Sequence, residues 1–211
     1  MAEIVELKKV LEELRTEKKR KFVQTVDLIV NLQNYDARKE ALNTFMNVPH
    51  PSEKNICAFL TKRSKLLPTI IEDDFSKYKE KKQMKNLAEE YDFFIAVAPM
   101  MSKIATKFGR ILGPMGKMPS PQGGIIVKED EETINAMMTK LTKMIRIRNK
   151  EASIKIAVGK EDMKDEELIE NIQELMKQIE KKLPRGKENI KDALVKFTMT
   201  KPIKFIDNKK K

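Results

Sequence analysis

The chain has one cysteine, one histidine and no tryptophan. One cysteine, Cys57, excludes an internal disulfide and a multi-cysteine zinc site. It sits in Asn55-Ile-Cys-Ala-Phe-Leu60, an apolar run that predicts a buried, inert thiol. One histidine, His50, cannot build a His-rich metal site, and its place between Pro49 and Pro51 suits a chain crossing. No metal and no cofactor are expected. No apolar run approaches the roughly 18 residues that span a membrane. The N-terminal Met1-Ala-Glu-Ile-Val-Glu-Leu-Lys8 lacks the apolar core of a signal peptide. An intracellular, cytoplasmic protein is expected.

Charge is what the chain has in quantity. Forty-three Lys and Arg against 32 Asp and Glu leave a formal +11. A surplus of that size attracts polyanions. Nucleic acid is the first reading, an anionic membrane surface the second, and a solvated basic surface the plain one. Hydrophobic content of 40% and charged content of 36% suit a globular protein with a heavily charged surface.

The hydrophobic periods divide the chain. Ile4, Leu7, Leu11 and Leu14 predict a helix over 2–19, closed by the basic Lys18-Lys-Arg-Lys21. From Phe22 to Leu32 the period becomes two: Val26, Leu28, Val30 and Leu32 alternate with Thr25, Asp27 and Asn31. Asn34-Tyr-Asp36 is turn chemistry, and Thr44–Val48 is a short strand stopped by Pro49-His-Pro51. From Asn55 strands alternate with helices: strand 56–60, helix 75–90, strand 92–98, a helix opened by Pro99 that buries Met100, Met101 and Ile104, and helix 131–144. The eight methionines from Met84 to Met144 read as core filler. Strands 145–148 and 153–159 follow, then an amphipathic helix capped by Asp165 through Leu168, Ile172, Leu175, Ile179 and Leu183. Pro184-Arg-Gly186 breaks it. Strand 193–200, with Thr198 and Met199 in its ladder, and strand 203–206 precede a Lys209–Lys211 tail expected to be disordered.

Neither end has enough strands to cover a core by itself. The expected fold is therefore an α+β composite domain formed by both chain ends, residues 1–52 and 153–211. Into it is inserted an α/β Rossmann-like three-layer domain, residues 53–152. The ends carry nine basic against eight acidic side chains in 1–52 and fifteen against eleven in 153–211, so the +11 divides as +5 and +6 between composite domain and insert. Net charge does not choose between them.

Phe108-Gly-Arg-Ile-Leu-Gly-Pro-Met-Gly-Lys-Met-Pro-Ser-Pro-Gln-Gly-Gly124 stands near the middle, and its glycines and prolines predict an ordered loop that no helix or strand enters. As a phosphate cradle it fails twice. A Walker A motif requires Gly where Ile111 stands and Ser or Thr where Met118 stands. Gly113-Pro-Met-Gly116 has the outline of a KH clamp without the KH helix order. The chain has no Gly-x-Ser-x-Gly and no His-Glu-x-x-His. The carboxylate pairs Glu131-Glu132 and Glu166-Glu167 open predicted helices, where the dipole accounts for them. No catalytic residue is expected.

Gly109-Arg-Ile-Leu-Gly-Pro-Met-Gly-Lys-Met-Pro119 closely resembles the signature of the ribosomal protein L1 family, of the mobile side stalk of the large ribosomal subunit, here in its archaeal type. Lys21-Phe22 with Thr25-Val-Asp27, Val48-Pro-His50, Arg148-Asn-Lys150, Ala157-Val-Gly-Lys160, Asn171-Ile172 and Thr198-Met199 resemble further family pieces in the right order, across nearly the whole chain. The resemblance implies a two-domain, non-enzymatic protein that binds a folded rRNA stalk segment, represses its own mRNA and aids release of deacylated tRNA. It is expected to be a monomer off the ribosome, with no membrane partner. The RNA-binding positions it implies are Lys21, Phe22, Thr25, Asp27, Gly159, Lys160, Thr198 and Met199, with Arg110 and Lys117 as secondary contacts. Thr25, Asp27 and Thr198 suit 2′-hydroxyls in a shallow RNA groove, Lys21 and Lys160 suit phosphates, and Phe22 packs on ribose or base or else seals the core. Hinge positions are His50, Pro51, Glu151 and Ser153, since two strands of chain join the domains. Thr200 stands where members carry Gly, and Met115 where they carry Gly or a basic residue. The reading from a different class is a phosphate- or nucleotide-binding α/β enzyme using the Gly/Pro loop.

Overall fold

Helix α1 (Ala2–Thr16) buries Leu7, Val10, Leu11 and Leu14 along one stripe, the three- and four-residue spacing expected of an amphipathic helix. The structure, a computed structural model, describes residues 2–17, 20–37, 40, 42–78, 80–149 and 151–208, with side chains from Val5 onward. The side chain of Ile4, the Lys18-Lys19 pair, Lys150 and the Lys209–Lys211 tail lie outside the described residues.

The chain separates into two units, one of residues 1–52 with 143–211 and one of residues 53–142. In the first, β1 (Thr25–Leu32) is paired antiparallel on both sides, with β8 (Ser153–Lys160) and with β9 (Ile190–Phe197), and β10 (Ile203–Asp207) closes the sheet order β10-β9-β1-β8. Val26, Leu28, Val30 and Leu32 all point into the core, as their parity requires. There they meet α1 and α5 (Asp165–Lys182), whose Leu168, Ile172, Leu175 and Ile179 are buried, with Leu183 just beyond. Beside this sheet β2 (Asn43–Asn47) and β7 (Met144–Arg148) form an antiparallel ribbon. That pairing brings the returning chain into the first unit at Lys143, well before the expected 152/153 boundary.

In the second unit the sheet order is β4-β3-β5-β6, all parallel: β3 (Ile56–Phe59), β4 (Thr69–Ile70), β5 (Phe93–Val97) and β6 (Ile125–Ile126). Cys57, Phe59, Phe94 and Ala96 face one cluster with Leu87, Ile104, Phe108 and Leu112, while Ala58, Ile95 and Val97, of opposite parity, are buried too. Both faces of this sheet are covered, the usual state of a parallel sheet. Phe59 stacks on Phe94 with ring centroids 5.5 Å apart. Burial pushes the Cys57 thiol up to about 12, so it is inert. Of the eight methionines from Met84 to Met144, Met100 and Met144 are buried, Met84, Met101 and Met118 pack on the core, Met137 and Met138 are half-buried, and Met115 is exposed.

Several boundaries differ from the sequence reading. The 75–90 helix is a 3-10 turn (Glu72–Lys77) followed by α2 (Lys81–Glu90). Asp165 is the first residue of α5, with Lys164 at the cap position. Helix α3 (Met101–Leu112) enters the Gly/Pro segment and runs through Gly109 to Leu112. Glycine costs a helix about 1 kcal/mol, whereas burying Phe108 and Leu112 yields about 1.5–3 kcal/mol each. Burial wins. The last helix of the second unit, α4 (Glu131–Lys143), starts on Glu131 and Glu132 as the dipole argument expects.

Candidate nucleic-acid interface

Strand β1 begins at Thr25, and there the ladder is completed by a side chain. The Thr25 N–H donates to Thr198 Oγ1 at 3.0 Å, and that hydroxyl donates back to the Thr25 carbonyl at 3.3 Å. Sequence reasoning put Thr198 and Met199 in the last strands' ladder. The structure corrects this: β9 ends at Phe197, and Thr198, Met199 and Thr200 form the turn that follows. Thr200, at the position where glycine was the family pattern, folds its hydroxyl back to accept from the Phe197 N–H at 2.9 Å. It closes the turn without pointing away from it.

Around this junction the structure gathers most of the expected positions. Lys160 is the ladder partner of Thr25, and Gly159 and Phe197 flank Val26. Phe22 is 53% exposed and Met199 56%, so Phe22 is not the core seal that its aromatic ring also allowed. Lys21 and Phe22 line a groove with Arg15, Arg20, Val23, Glu161 and Asp162. Asp27 stands further along β1, opposite Lys196; partial burial raises its carboxyl above the ordinary value, and the Lys196 charge opposes that shift.

Gly159 has a packing role in the fold. It is buried, and a Cβ there would meet Leu168 Cδ2 at 2.6 Å and Met163 Sδ at 2.7 Å. The glycine leaves room for the Leu168 and Met163 side chains. Its neighbour Val158 is skipped in the β1–β8 register, since Val26 pairs Gly159 and Asp27 pairs Ala157. Such a bulge leaves a residue without its ladder partner. Asn171 on α5, fully buried, donates from Nδ2 to the Val158 carbonyl at 3.0 Å and to the His50 carbonyl at 2.6 Å, and accepts from the His50 N–H at 2.9 Å.

Three residues that organise the junction escaped the sequence reading. Gln24, only 3% exposed, accepts from the Met199 N–H at 3.1 Å and donates to Glu161 Oε2 at 3.2 Å. Its parity with Val26 and Leu28 was the available signal, because an inward polar side chain must find partners. Glu161 is the second. Arg15 is the third, donating to Asp165 Oδ1 and to the carbonyls of Glu161 and Met163, each at 2.8 Å, which ties the end of α1 to the β8–α5 loop.

The hinge positions divide. His50 and Pro51 adjoin the 52/53 division, and His50 Nε2 lies 2.7 Å from Glu170 Oε2. Glu151 and Ser153 do not mark a crossing: they bridge each other inside the first unit, and Ser153 pairs Asn31.

The secondary positions lie in the second unit. Arg110 is exposed on α3. Lys117 is not a free cation: its Nζ donates to the Ala88 and Tyr91 carbonyls, both at 2.8 Å, at the C-terminal end of α2. The orphan carbonyls and dipole of a helix end favour a cation there. The Gly/Pro loop follows the C-terminal end of α3, the wrong pole for phosphate, which helix N-termini bind. Its Met115, Gly116 and Lys117 amides already bond Ile111, Gly113 and Leu112. Gly124, at φ +115°, passes so near β5 that a Cβ would come within 2.5 Å of the Phe94 carbonyl. The loop packs the unit and is no nucleotide cradle. Among the described residues no acidic, His or Cys cluster could hold a metal ion, and no helix is long and apolar enough to cross a membrane.

The sequence pattern of the Ribosomal protein L1p/L10e family matches residues 14–201. The chain belongs to the ribosomal protein L1 family. It is similar to the large ribosomal subunit protein uL1 of Thermococcus kodakarensis, 36% identical over 199 residues covering 89% of this chain and 90% of that one. The uL1 proteins of Nanoarchaeum equitans and Archaeoglobus fulgidus are each 32% identical, covering 91% and 95% of this chain and 95% and 96% of their own. The L1 family is one of structural ribosomal proteins and not of enzymes, which sets the enzyme reading aside.

Proposed function

We propose that the chain is a structural protein of the side stalk of the large ribosomal subunit, acting in the cytoplasm and bound to folded rRNA. The contact surface is Lys21, Phe22, Thr25, Asp27, Lys160, Thr198 and Met199. The observation that carries this reading is the Thr25–Thr198 junction, which joins residues from opposite ends of the chain on one sheet margin. After its bonds to Thr25, the Thr198 hydroxyl keeps one acceptor lone pair, which suits a ribose 2′-hydroxyl donor. Lys21 and Lys160 meet phosphates, and Phe22 and Met199 offer apolar contact to ribose or base. The relatives' description as large-subunit proteins supports the same partner.

On this reading the protein is a monomer away from the ribosome, and Arg110 gives at most a secondary contact. Stalk motion that aids release of deacylated tRNA turns on the two segments crossing at 52/53 and 142/143. A stalk-like element in its own mRNA binds the same surface, so that surplus protein represses its synthesis. The test is a titration at several salt concentrations against the stalk rRNA and an unrelated hairpin of equal length. Preference for the stalk, with log K falling against log salt by roughly 0.7–0.9 per phosphate contacted, is expected. Equal affinity for both RNAs overturns the proposal.

A further inference from the structure

Resting on the rRNA reading above, we propose that Gln24 is the positioning residue of that surface: its side chain, clamped by Glu161, sets Met199 and Thr198 against Lys21, Phe22 and Lys160. At 3% exposure Gln24 is closed off from a ligand and acts through its neighbours. Its amide has one orientation. The Met199 N–H is a donor, so Oε1 must face it; the Glu161 carboxylate is an acceptor, so Nε2 must face that. The clamp is doubled by the backbone, since the Gln24 N–H donates to the same Glu161 Oε2 at 3.2 Å and the Glu161 N–H donates to the Gln24 carbonyl at 2.8 Å.

Three separate stretches of chain meet at this one side chain. The first carries Lys21 and Phe22, the second Gly159 and Lys160, and the third Thr198 and Met199. The turn after β9 is held at Thr198 by Thr25 and at its far end by Thr200 closing on Phe197. Among the described residues, Gln24 is what ties the intervening Met199 amide to the other two stretches. Loss of that arm leaves the sheet in place and lets Met199 shift, which a shape-reading contact registers and a phosphate contact does not.

The experiment compares the whole protein with Gln24→Met, Gln24→Glu, Glu161→Gln and the exchanged pair Gln24→Glu/Glu161→Gln. Affinity is measured for the stalk rRNA fragment and for the unrelated hairpin, with the salt slope and the thermal midpoint. Gln24→Met keeps the volume and loses both bonds. It is expected to weaken stalk binding about tenfold, with hairpin binding and salt slope unchanged. Gln24→Glu sets two carboxylates face to face and weakens stalk binding at least as much. The exchanged pair restores a carboxylate facing an amide and is expected to recover to within about threefold of wild type. Should Gln24→Met not fold, Gln24→Glu and its rescue carry the same comparison. Unchanged stalk affinity, equal loss for both RNAs, or no recovery in the exchanged pair overturns the assignment. A wild-type protein that does not prefer the stalk RNA overturns the functional reading instead.

Discussion

Asn171→Leu replaces a buried amide with a side chain of similar size that cannot hydrogen-bond. Three bonds disappear: two with the His50 backbone and one with Val158. The His50 groups are partly within reach of water, so each of their bonds is worth about 0.5–1.5 kcal/mol. The Val158 carbonyl is enclosed and sits at a bulge, with no ladder partner to fall back on. Leaving it unpaired costs about 1–3 kcal/mol. Extra apolar burial by leucine offsets part of this, and a net loss of about 3 kcal/mol is expected. For a chain of this length that lowers the thermal midpoint by roughly 6–12 °C. With no tryptophan present, urea and heat unfolding are followed by circular dichroism at the helical minimum. Gln178→Ala is the control, because its bonds to the Asn47 backbone are exposed and water replaces them. A loss below about 1 kcal/mol for Asn171→Leu would falsify the claim that this amide satisfies the bulge.

The other predictions concern titration and the RNA margin. Burial lowers the Lys54 ammonium to about 8, against the attraction of Asp92. Between that value and 10.5 the unfolded chain binds the extra proton, so this group's contribution makes stability rise with pH across that window and is flat below it. The difference between wild type and Lys54→Met, followed from pH 7 to 11, should show that rise; a flat difference refutes it. The raised Asp27 carboxyl works in the opposite sense, its contribution to stability falling as pH climbs from 3.8 to the raised value. Asp27→Asn should therefore raise the melting temperature at neutral pH while weakening stalk RNA binding, and a lower melting temperature would contradict the burial argument. Thr198→Ala should lose about 1–2 kcal/mol of stability as well as RNA affinity, because its hydroxyl completes the β1 ladder. Thr198→Ser keeps the hydroxyl and should retain most of both; equal damage from the two substitutions would remove the hydroxyl from the account.

Much of this protein was decided by local pattern. The inward parity of Val26 to Leu32, the apolar run at Ile56, the stripe from Leu168 to Leu183 and the family signature around Gly109 are legible because period and spacing are properties of neighbouring residues. That no internal disulfide can form and that no Walker A motif exists follow from residue identity alone. Tertiary structure decided the rest, wherever a residue's partner lies far away along the chain. Gly159 is small because Leu168 packs on it; Lys117 is occupied because α2 ends beside it; α3 passes through Gly109 because Phe108 and Leu112 have a core to enter. Thr198 leaves its strand to finish another, and Gln24, Glu161 and Asn171 matter only once distant segments meet. Period can show that Gln24 points inward but not which distant segment its bonds reach, so no reading of one segment at a time could have named the partners.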